Sequence, residues 1–448
     1  MRLELAKLRG FVNPADVFLA IHKQDPNVFW LDRSTHPDEP VSIIGSAGSI
    51  LELGEKPLEE IANHLLKIKQ SVVNFPEQEI SFSFRPGLVG YLGYEMLTGA
   101  RDNQSSEPVA ELMVVDRAMV FDHRDRHMYF IGLFETEAEF QNWHRAALLR
   151  LTLVGGELAS YTQLTKEPKI VSSKLRHSPE KYLELINKCK EHIASGDVYQ
   201  LCLTNQILIE HDADPLRTFL SLRDQNPAPY GSYIKIGQRE IVSSSPEQFL
   251  KVTTDGKVSS KPIKGTRPRS LVPVEDELLA KELRENQKEQ AENLMIVDLM
   301  RNDLGRVCEP GSVVVDKLFD VESYATVHQL VSTVTGTLRS EQNAVTALAS
   351  CFPAGSMTGA PKIKAIEILS KLEDGPRGAY SGAIGFFGFD GAADLGMTIR
   401  TLVFEGKFAT LGVGGGITID SNPDQELEET MLKAQALLRT LGGTTWKH

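Results

Sequence analysis

QFLKVTTDGKVSSKPIKG, residues 248–265, alternates β-rich runs around a Thr-Asp-Gly turn and so reads as an antiparallel hairpin that delivers the chain to Lys264. The same signature recurs in GSYIKIGQREIVSSS (231–245) and TLVFEGKFATLGVGGG (401–416), each with a Gly-containing turn between strand-forming runs. Helical periodicity covers Pro179 to Ser195, Val274 to Asp303, Pro361 to Leu372 and Pro423 to Leu441. Hairpins interspersed with amphipathic helices define an α+β architecture with large antiparallel sheets.

The polar segment TQLTKEPKIVSSKLRHSPEKY, with two prolines, sets a boundary near Thr162 to Lys174. It divides an N-terminal lobe, 1–165, from a region, 176–441, that carries nearly every suggestive polar cluster. These are two lobes of one fold. Across the boundary there is an internal echo, since Gly87-Leu-Val-Gly-Tyr-Leu-Gly-Tyr-Glu95 matches Gly382-Ala-Ile-Gly-Phe-Phe-Gly-Phe-Asp390 in glycine, aromatic and acidic positions. Glycines alternating with aromatics predict two strands packed at close backbone approach.

With 448 residues, 41% hydrophobic and 24% charged, the chain has the composition of an ordered globular protein. A formal charge of -12 disfavours nucleic-acid binding, and no apolar run is long enough to span a membrane. The first 18 residues lack an uninterrupted apolar core, so no signal peptide is read and the cytoplasm is the expected location. Cys189, Cys202, Cys308 and Cys351 show neither zinc nor disulfide spacing and read as free buried thiols.

Lys264 sits among Gly265, Thr266, Arg267 and Arg269, a setting suited to a small anion. Burial and the two neighbouring cations would favour its neutral, nucleophilic amine; the alternative is a solvated loop lysine. Glu247, 17 residues upstream at a strand junction, could face the same site as an acid or base, or be a solvated edge-strand residue. Glu289 and Glu292 share one helical face, and Glu292 continues into the apolar stripe of Met295, Ile296 and Leu299. Glu426 and Glu429 follow the candidate cap Asn422 and Pro423. Carboxylates from two helices suit Mg²⁺, which uses one or two of them together with waters and an anionic substrate. The competing reading is solvated glutamates paired with lysines, such as Glu429 with Lys433. Arg400 could grip a carboxylate or make a surface ion pair, and Gly414, Gly415 and Gly416 could admit a carboxylate or simply turn. The loop from Ser356 to Pro361 opens a helix and so favours an anion, while His328 reads as a satisfied core histidine.

Taken in order, SGDVYQ (195–200), SSPEQF (244–249), PIKGTRPR (262–269), AENLMIVDLMRNDLGRV (291–307), HQLVSTVTG (328–336), FPAGSMTGAPK (352–362), YSGAIG (380–385), IRT (399–401), GGGI (414–417) and DSNPDQELEET (420–430) resemble the chorismate-utilising enzymes. The resemblance implies a four-layer β/α/α/β fold with two large antiparallel sheets and the active site in a cleft between them. Lysine at position 264 resembles the branch that makes 4-amino-4-deoxychorismate for 4-aminobenzoate and folate, whereas anthranilate synthases carry alanine there. Gln200 stands where isochorismate and salicylate synthases carry a lysine that activates water.

By that resemblance Lys264 attacks C2 of chorismate with Glu247 as general acid, and ammonia then enters at C4. Glu292 and Glu429 match the Mg²⁺ ligands, with Glu289 and Glu426 as a water-bridging outer pair. Gly265, Thr266, Tyr380, Arg400 and Gly414 to Gly416 match the chorismate-binding positions, and His328 matches a histidine beside the ring or its pyruvyl group. Tyr230-Gly231 departs from the Pro-Tyr-Met that holds feedback tryptophan in related enzymes. No Gly-x-Cys-x-Gly glutaminase elbow surrounds a cysteine, which implies ammonia from solution or from a separate glutamine amidotransferase subunit. The rival expectations are an anthranilate synthase component I and a catalytically silent partner of a glutaminase.

Overall fold

The computed structural model describes residues 1–75, 80–98 and 108–443. Among them two antiparallel sheets dominate. The first has 12 strands, in the order Arg2–Leu8, His127–Phe134, Arg117–Asp122, Val41–Ser46, Asn27–Asp32, Tyr230–Ile236, Arg239–Ser245, Thr401–Glu405, Phe408–Ile417, Gln200–His211 and Gly359–Ala360; Ile170–Leu175 also pairs with Gln200–His211. The second has 10 strands, running Ile263–Pro268, Val327–Thr337, Lys257–Ser260, Gln248–Val252, Ala393–Met397, Ala383–Gly388, Gly87–Leu92, Ala110–Val115 and Ser49–Leu51, with Val314–Ser323 on Val327–Thr337. The three hairpins read from sequence are all present.

The layer order differs from the expected one. Phe29, Leu31 and Ile131 of the first sheet pack directly on Val89, Met113 and Phe386 of the second. Helices cover the outer faces, through Phe18, Phe140, Phe219 and Leu437 on the first sheet and Ile61, Ile296 and Leu348 on the second. Across the core the layers therefore run α/β/β/α. The physical reason lies in strands such as Asn27–Asp32, apolar on both faces, in which Val28 and Trp30 point to helices while Phe29 and Leu31 point to the other sheet. The two large antiparallel sheets and a cleft between them stand as expected.

Both sheets take strands from either side of the boundary near residue 165. Gly231 pairs with Asp32 in the first sheet, and the two echoed segments pair with each other in the second, Gly90 opposite Gly385. Two strands also cross together from one sheet to the other. Arg239–Ser245 and Thr401–Glu405 are neighbours in the first sheet, and their continuations Gln248–Val252 and Ala393–Met397 are neighbours in the second. The crossing segments stay bonded, Ser244 N–H to Arg400 O at 3.1 Å and Met397 N–H to Glu247 O at 2.9 Å. Strand corners of this kind let a chain serve two packed sheets.

Three of the four expected helices match their boundaries within a residue. The fourth splits into Pro273–Glu285 and Gln287–Gly305. Asn286 adopts ψ 109° and its side chain accepts the Glu289 N–H at 3.1 Å, so it caps a new helix instead of continuing the old one. The break leaves Glu289 and Glu292 near a helix start. All four cysteines are free and buried, and among the described residues no helix is long and apolar enough to cross a membrane.

Gly90 is the tightest test of the echo strands, because a Cβ there would lie 2.0 Å from the Glu111 carbonyl oxygen. Gly90→Ala is expected to destabilise the fold by about 1–3 kcal/mol or more, read as a lowered midpoint in chemical denaturation.

Candidate active site

Lys264 lies on the edge strand Ile263–Pro268, where register with Val327–Thr337 slips between Ile263 and Thr266. Gly265 in this bulge has φ +79°, and a Cβ there would come within 2.8 Å of both Glu289 and Leu283. Only glycine fits, and the bulge re-aims the preceding side chain. Pro262 O is pinned from two sides, by Asn293 Nδ2 at 3.3 Å and Ser332 N–H at 3.2 Å. The amine reaches into the cleft with its nearest ion-pair partner, Glu292, at 3.7 Å. Arg267 and Arg269 are not its neighbours in charge. Arg267 is bound to Glu282 at 2.6 Å and lies 3.6 Å from Glu289, and Arg269 is bound to Asp276 at 2.7 Å, so both expected cations are taken up by carboxylates of the flanking helices.

Opposite lies the glycine strand Phe408–Ile417. A Cβ on Gly416 would stand 3.3 Å from Lys264 Nζ and 2.6 Å from Gln200 Nε2, so the two side chains converge on one spot that only a glycine keeps open. Gln200 is fully buried, yet neither its Nε2 nor its Oε1 has a protein partner. A buried carboxamide left with donor and acceptor unused is aimed at something else. Gly412 lies under Tyr380, where a Cβ would come within 2.0 Å of the ring, and burial raises the Tyr380 phenol above its ordinary range. Gly414 is held against Leu203 and accepts Lys433 Nζ at 3.1 Å, while Gly415 turns to the opposite face, beside Glu426.

The paired strand crossing supplies the acid and a cation. Glu247 is 6% exposed; burial pushes its carboxyl up to about 7, against the opposing pull of Lys264, Ser356 Oγ (3.2 Å), the Ile263 N–H and Arg400. At neutral pH it is therefore part acid, part carboxylate. Arg400, at φ +49°, has no hydrogen bond or ion pair from its guanidinium among the described residues; burial lowers its pKa and Glu247 opposes that. A half-buried guanidinium with no protein partner is a ready contact for an anion.

The four glutamates gather at one side of the cleft. Burial and then Glu292 and Glu429 raise the Glu289 carboxyl, and burial, with Glu429 and Glu292 contributing, raises that of Glu426. Lys288 bridges the two helices, 3.8 Å from both Glu292 and Glu426. Glu429 pairs with Lys433 at 2.8 Å, and Ser421 donates to Glu426 at 2.8 Å. Among the described residues no three ligating side chains already form a metal cage. Oxygen donors that repel one another fit a hard dication that keeps most of its waters.

Two expected site residues stand apart. His328 is buried with both ring nitrogens engaged, Nδ1 with Ser323 Oγ at 2.7 Å and Nε2 with Asp276 at 3.0 Å, so neither is left for the cleft. Thr266 is exposed beyond the bulge. Conversely, sequence reading gave no role to Arg377. This buried guanidinium bonds Cys202 O (2.9 Å), Met357 O (2.6 Å) and Ser381 Oγ (3.2 Å), adjoining the segments of Gln200, Ser356 and Tyr380. Glu373 neutralises it through both oxygens and also accepts Thr204 N–H at 2.9 Å. The available signal was an arginine in a Gly-Pro turn three residues before Tyr380.

A lysine amine, a half-protonated carboxyl and an unsatisfied guanidinium around a glycine-walled cleft, beside an acidic corner, define a site for a small polyanion. Residues 26–439 match the model of the chorismate binding enzymes, and the chain belongs to that family. It is similar to the aminodeoxychorismate synthase of Streptomyces griseus, 47% identical over 368 residues that make up 81% of this chain and 51% of that protein. It is also similar to anthranilate synthase component 1 of Streptomyces coelicolor, at 36% identity over 86% of this chain and 77% of that one. The crystal structure of anthranilate synthase component I from Streptococcus pneumoniae matches with a TM-score of 0.74 at 26% identity, covering 98% and 92% of the two chains. The chain spans about half the length of the Streptomyces griseus relative, 51%.

Arg377→Met strands Glu373 in the core and is expected to destabilise by about 3–5 kcal/mol, measured by denaturant titration. Glu247 gives a pH signature. Its carboxyl ionises near 4.5 unfolded and near 7 folded, so folding loses stability as pH rises between those values. Glu247→Gln removes that loss. Its melting temperature relative to the parent is expected to climb from pH 4.5 to pH 7 and then level off.

Proposed function

We propose that this chain is an aminodeoxychorismate synthase component, converting chorismate and ammonia to 4-amino-4-deoxychorismate and water in the cytoplasm. The observation that carries the reading is the convergence of Lys264 Nζ and the unsatisfied Gln200 amide on Gly416, with Glu247 poised near pH 7 across the cleft. Similarity to proteins named aminodeoxychorismate synthase supports it.

The Lys264 amine forms a bond to C2 of the ring, the two ring double bonds shift, and the C4–O bond breaks. Glu247 gives its proton to the departing hydroxyl, which leaves as water. Ammonia then bonds to C4, the double bonds shift back, and the C2–N bond breaks to release Lys264. Covalent attachment thus divides one hard displacement into two easier ones. Arg400 pairs with a substrate carboxylate, which gives its half-buried guanidinium a partner. Gln200 offers an amide and no charge, so it can hold substrate or ammonia without acting as a base towards water.

Glu292 and Glu429, with Glu289 and Glu426 behind them, would hold Mg²⁺. Bound there, Mg²⁺ offsets the charge of a carboxylate that would otherwise meet four glutamates. In this proposal ammonia comes from solution or from a separate glutamine amidotransferase subunit.

Chromatography of a reaction holding chorismate, ammonium and Mg²⁺ is expected to give 4-amino-4-deoxychorismate as the main product and none after chelation. Anthranilate as the main product overturns the reading, and absence of turnover favours a silent glutaminase partner. Glu247→Gln is expected to lower kcat by about 100- to 10,000-fold, Lys264→Ala to abolish covalent turnover, and parental activity to fall as pH rises through about 7.

A further inference from the structure

Far from the cleft, a cavity of about 350 Å³ opens on the outer face of the first sheet, beneath the helix Glu137–Leu151. Its floor is Ile44 and Met119 and one wall is Trp143. That volume lies at the small end of the range for small-molecule sites. His22, the residue after the helix Pro14–Ile21, and Arg150 both line it.

His22 is 9% exposed, and its Nε2 is buried without any partner. Its Nδ1 faces Asp25 at 3.1 Å. Burial lowers the ring pKa, with Asp25 opposing and Arg150 adding to the fall; with Nδ1–H donated to Asp25, Nε2 is left a bare acceptor. The other charged groups at the cavity are Arg117, Asp116 and Arg150. Asp116 binds Arg117 at 2.7 Å, and that guanidinium also lies over the Phe134 and Trp143 rings. Arg150 is exposed and makes no side-chain hydrogen bond or ion pair among the described residues. An exposed guanidinium without a protein partner and a buried acceptor without one thus share a cavity whose other lining is largely apolar and aromatic.

We propose that this cavity binds a small aromatic acid, its carboxylate paired with Arg150 and a hydroxyl or amino group at its far end donating to His22 Nε2. The ring lies against Trp143, Met119 and Ile44. A donor opposite the acid group is the distinguishing demand of the site, because a ligand without one leaves His22 as it is in the empty protein.

Isothermal titration of the full chain with 4-hydroxybenzoate tests this. One equivalent is expected to bind, with benzoate several-fold weaker. Arg150→Gln, a surface change that leaves the fold and chorismate turnover intact, is expected to weaken 4-hydroxybenzoate by about tenfold, the scale of one charge-assisted contact. His22→Phe is expected to erase the difference between the two acids. No binding to the parent overturns the proposal. So does binding that Arg150→Gln leaves unchanged, including binding that chorismate competes away, which would assign the probe to the cleft.

Discussion

The structure depends on a paired crossing in which two neighbouring strands leave one sheet and enter the other side by side. Backbone bonds between Ser244 and Arg400 and between Glu247 and Met397 keep them together through the corner. This constraint fixes the offset of the sheets and, with it, the width of the cleft. It also explains why an acid and a guanidinium that are far apart in sequence face each other, since Glu247 and Arg400 are the residues at the corner. A side chain on a bonded corner has little freedom, which is how Glu247 can be held in a dry setting close to an amine it does not neutralise.

Around that corner a second, wholly buried device joins the remaining pieces. The Arg377–Glu373 pair ties three loops and a strand to one planar group. A buried ion pair is weak evidence for stability, because desolvation offsets its attraction. Its geometry is another matter, since a guanidinium fork accepts only a narrow set of partner directions. Gln200, Ser356 and Tyr380 each lie one or two residues from an anchored atom, so their placement follows from the fork. The asymmetry between this saturated network and the unsatisfied Gln200 and Arg400 marks where protein ends and ligand begins.

Much of this was legible in the sequence. Gly-containing turns between β-rich runs gave all three hairpins, and the glycine-aromatic echo gave a true strand pair because close approach leaves a glycine imprint on both partners. The hairpin from Gln248 to Gly265 correctly returned Lys264 towards Glu247. Features that depend on tertiary direction were not legible. A run apolar on both faces says that both are covered but not by what, so the sequence offered no check on the layer order that the resemblance implied, and the structure reverses it. Arg267 and Arg269 adjoin Lys264 in sequence, yet carboxylates of the flanking helices take them up. Asn286 looked like one polar residue in a long helix and is in fact a cap. His328 is the satisfied core histidine that its residue type suggested, although Ser323 and Asp276, which satisfy it, are residues no local pattern connects to it.

The interleaving of both sheets sets a timetable for the nascent chain. Gly87–Leu92 acquires its second neighbour only when residues 383–388 exist, about 300 residues later, and ribosomes add about 5–20 residues per second. For about 15–60 seconds an almost wholly apolar strand therefore waits with one edge unpaired. Such an edge invites pairing with other chains. Its glycines, which the finished sheet needs for close strand approach, also weaken it as a template in the meantime, so the residues that let neighbouring strands meet guard the chain before they do.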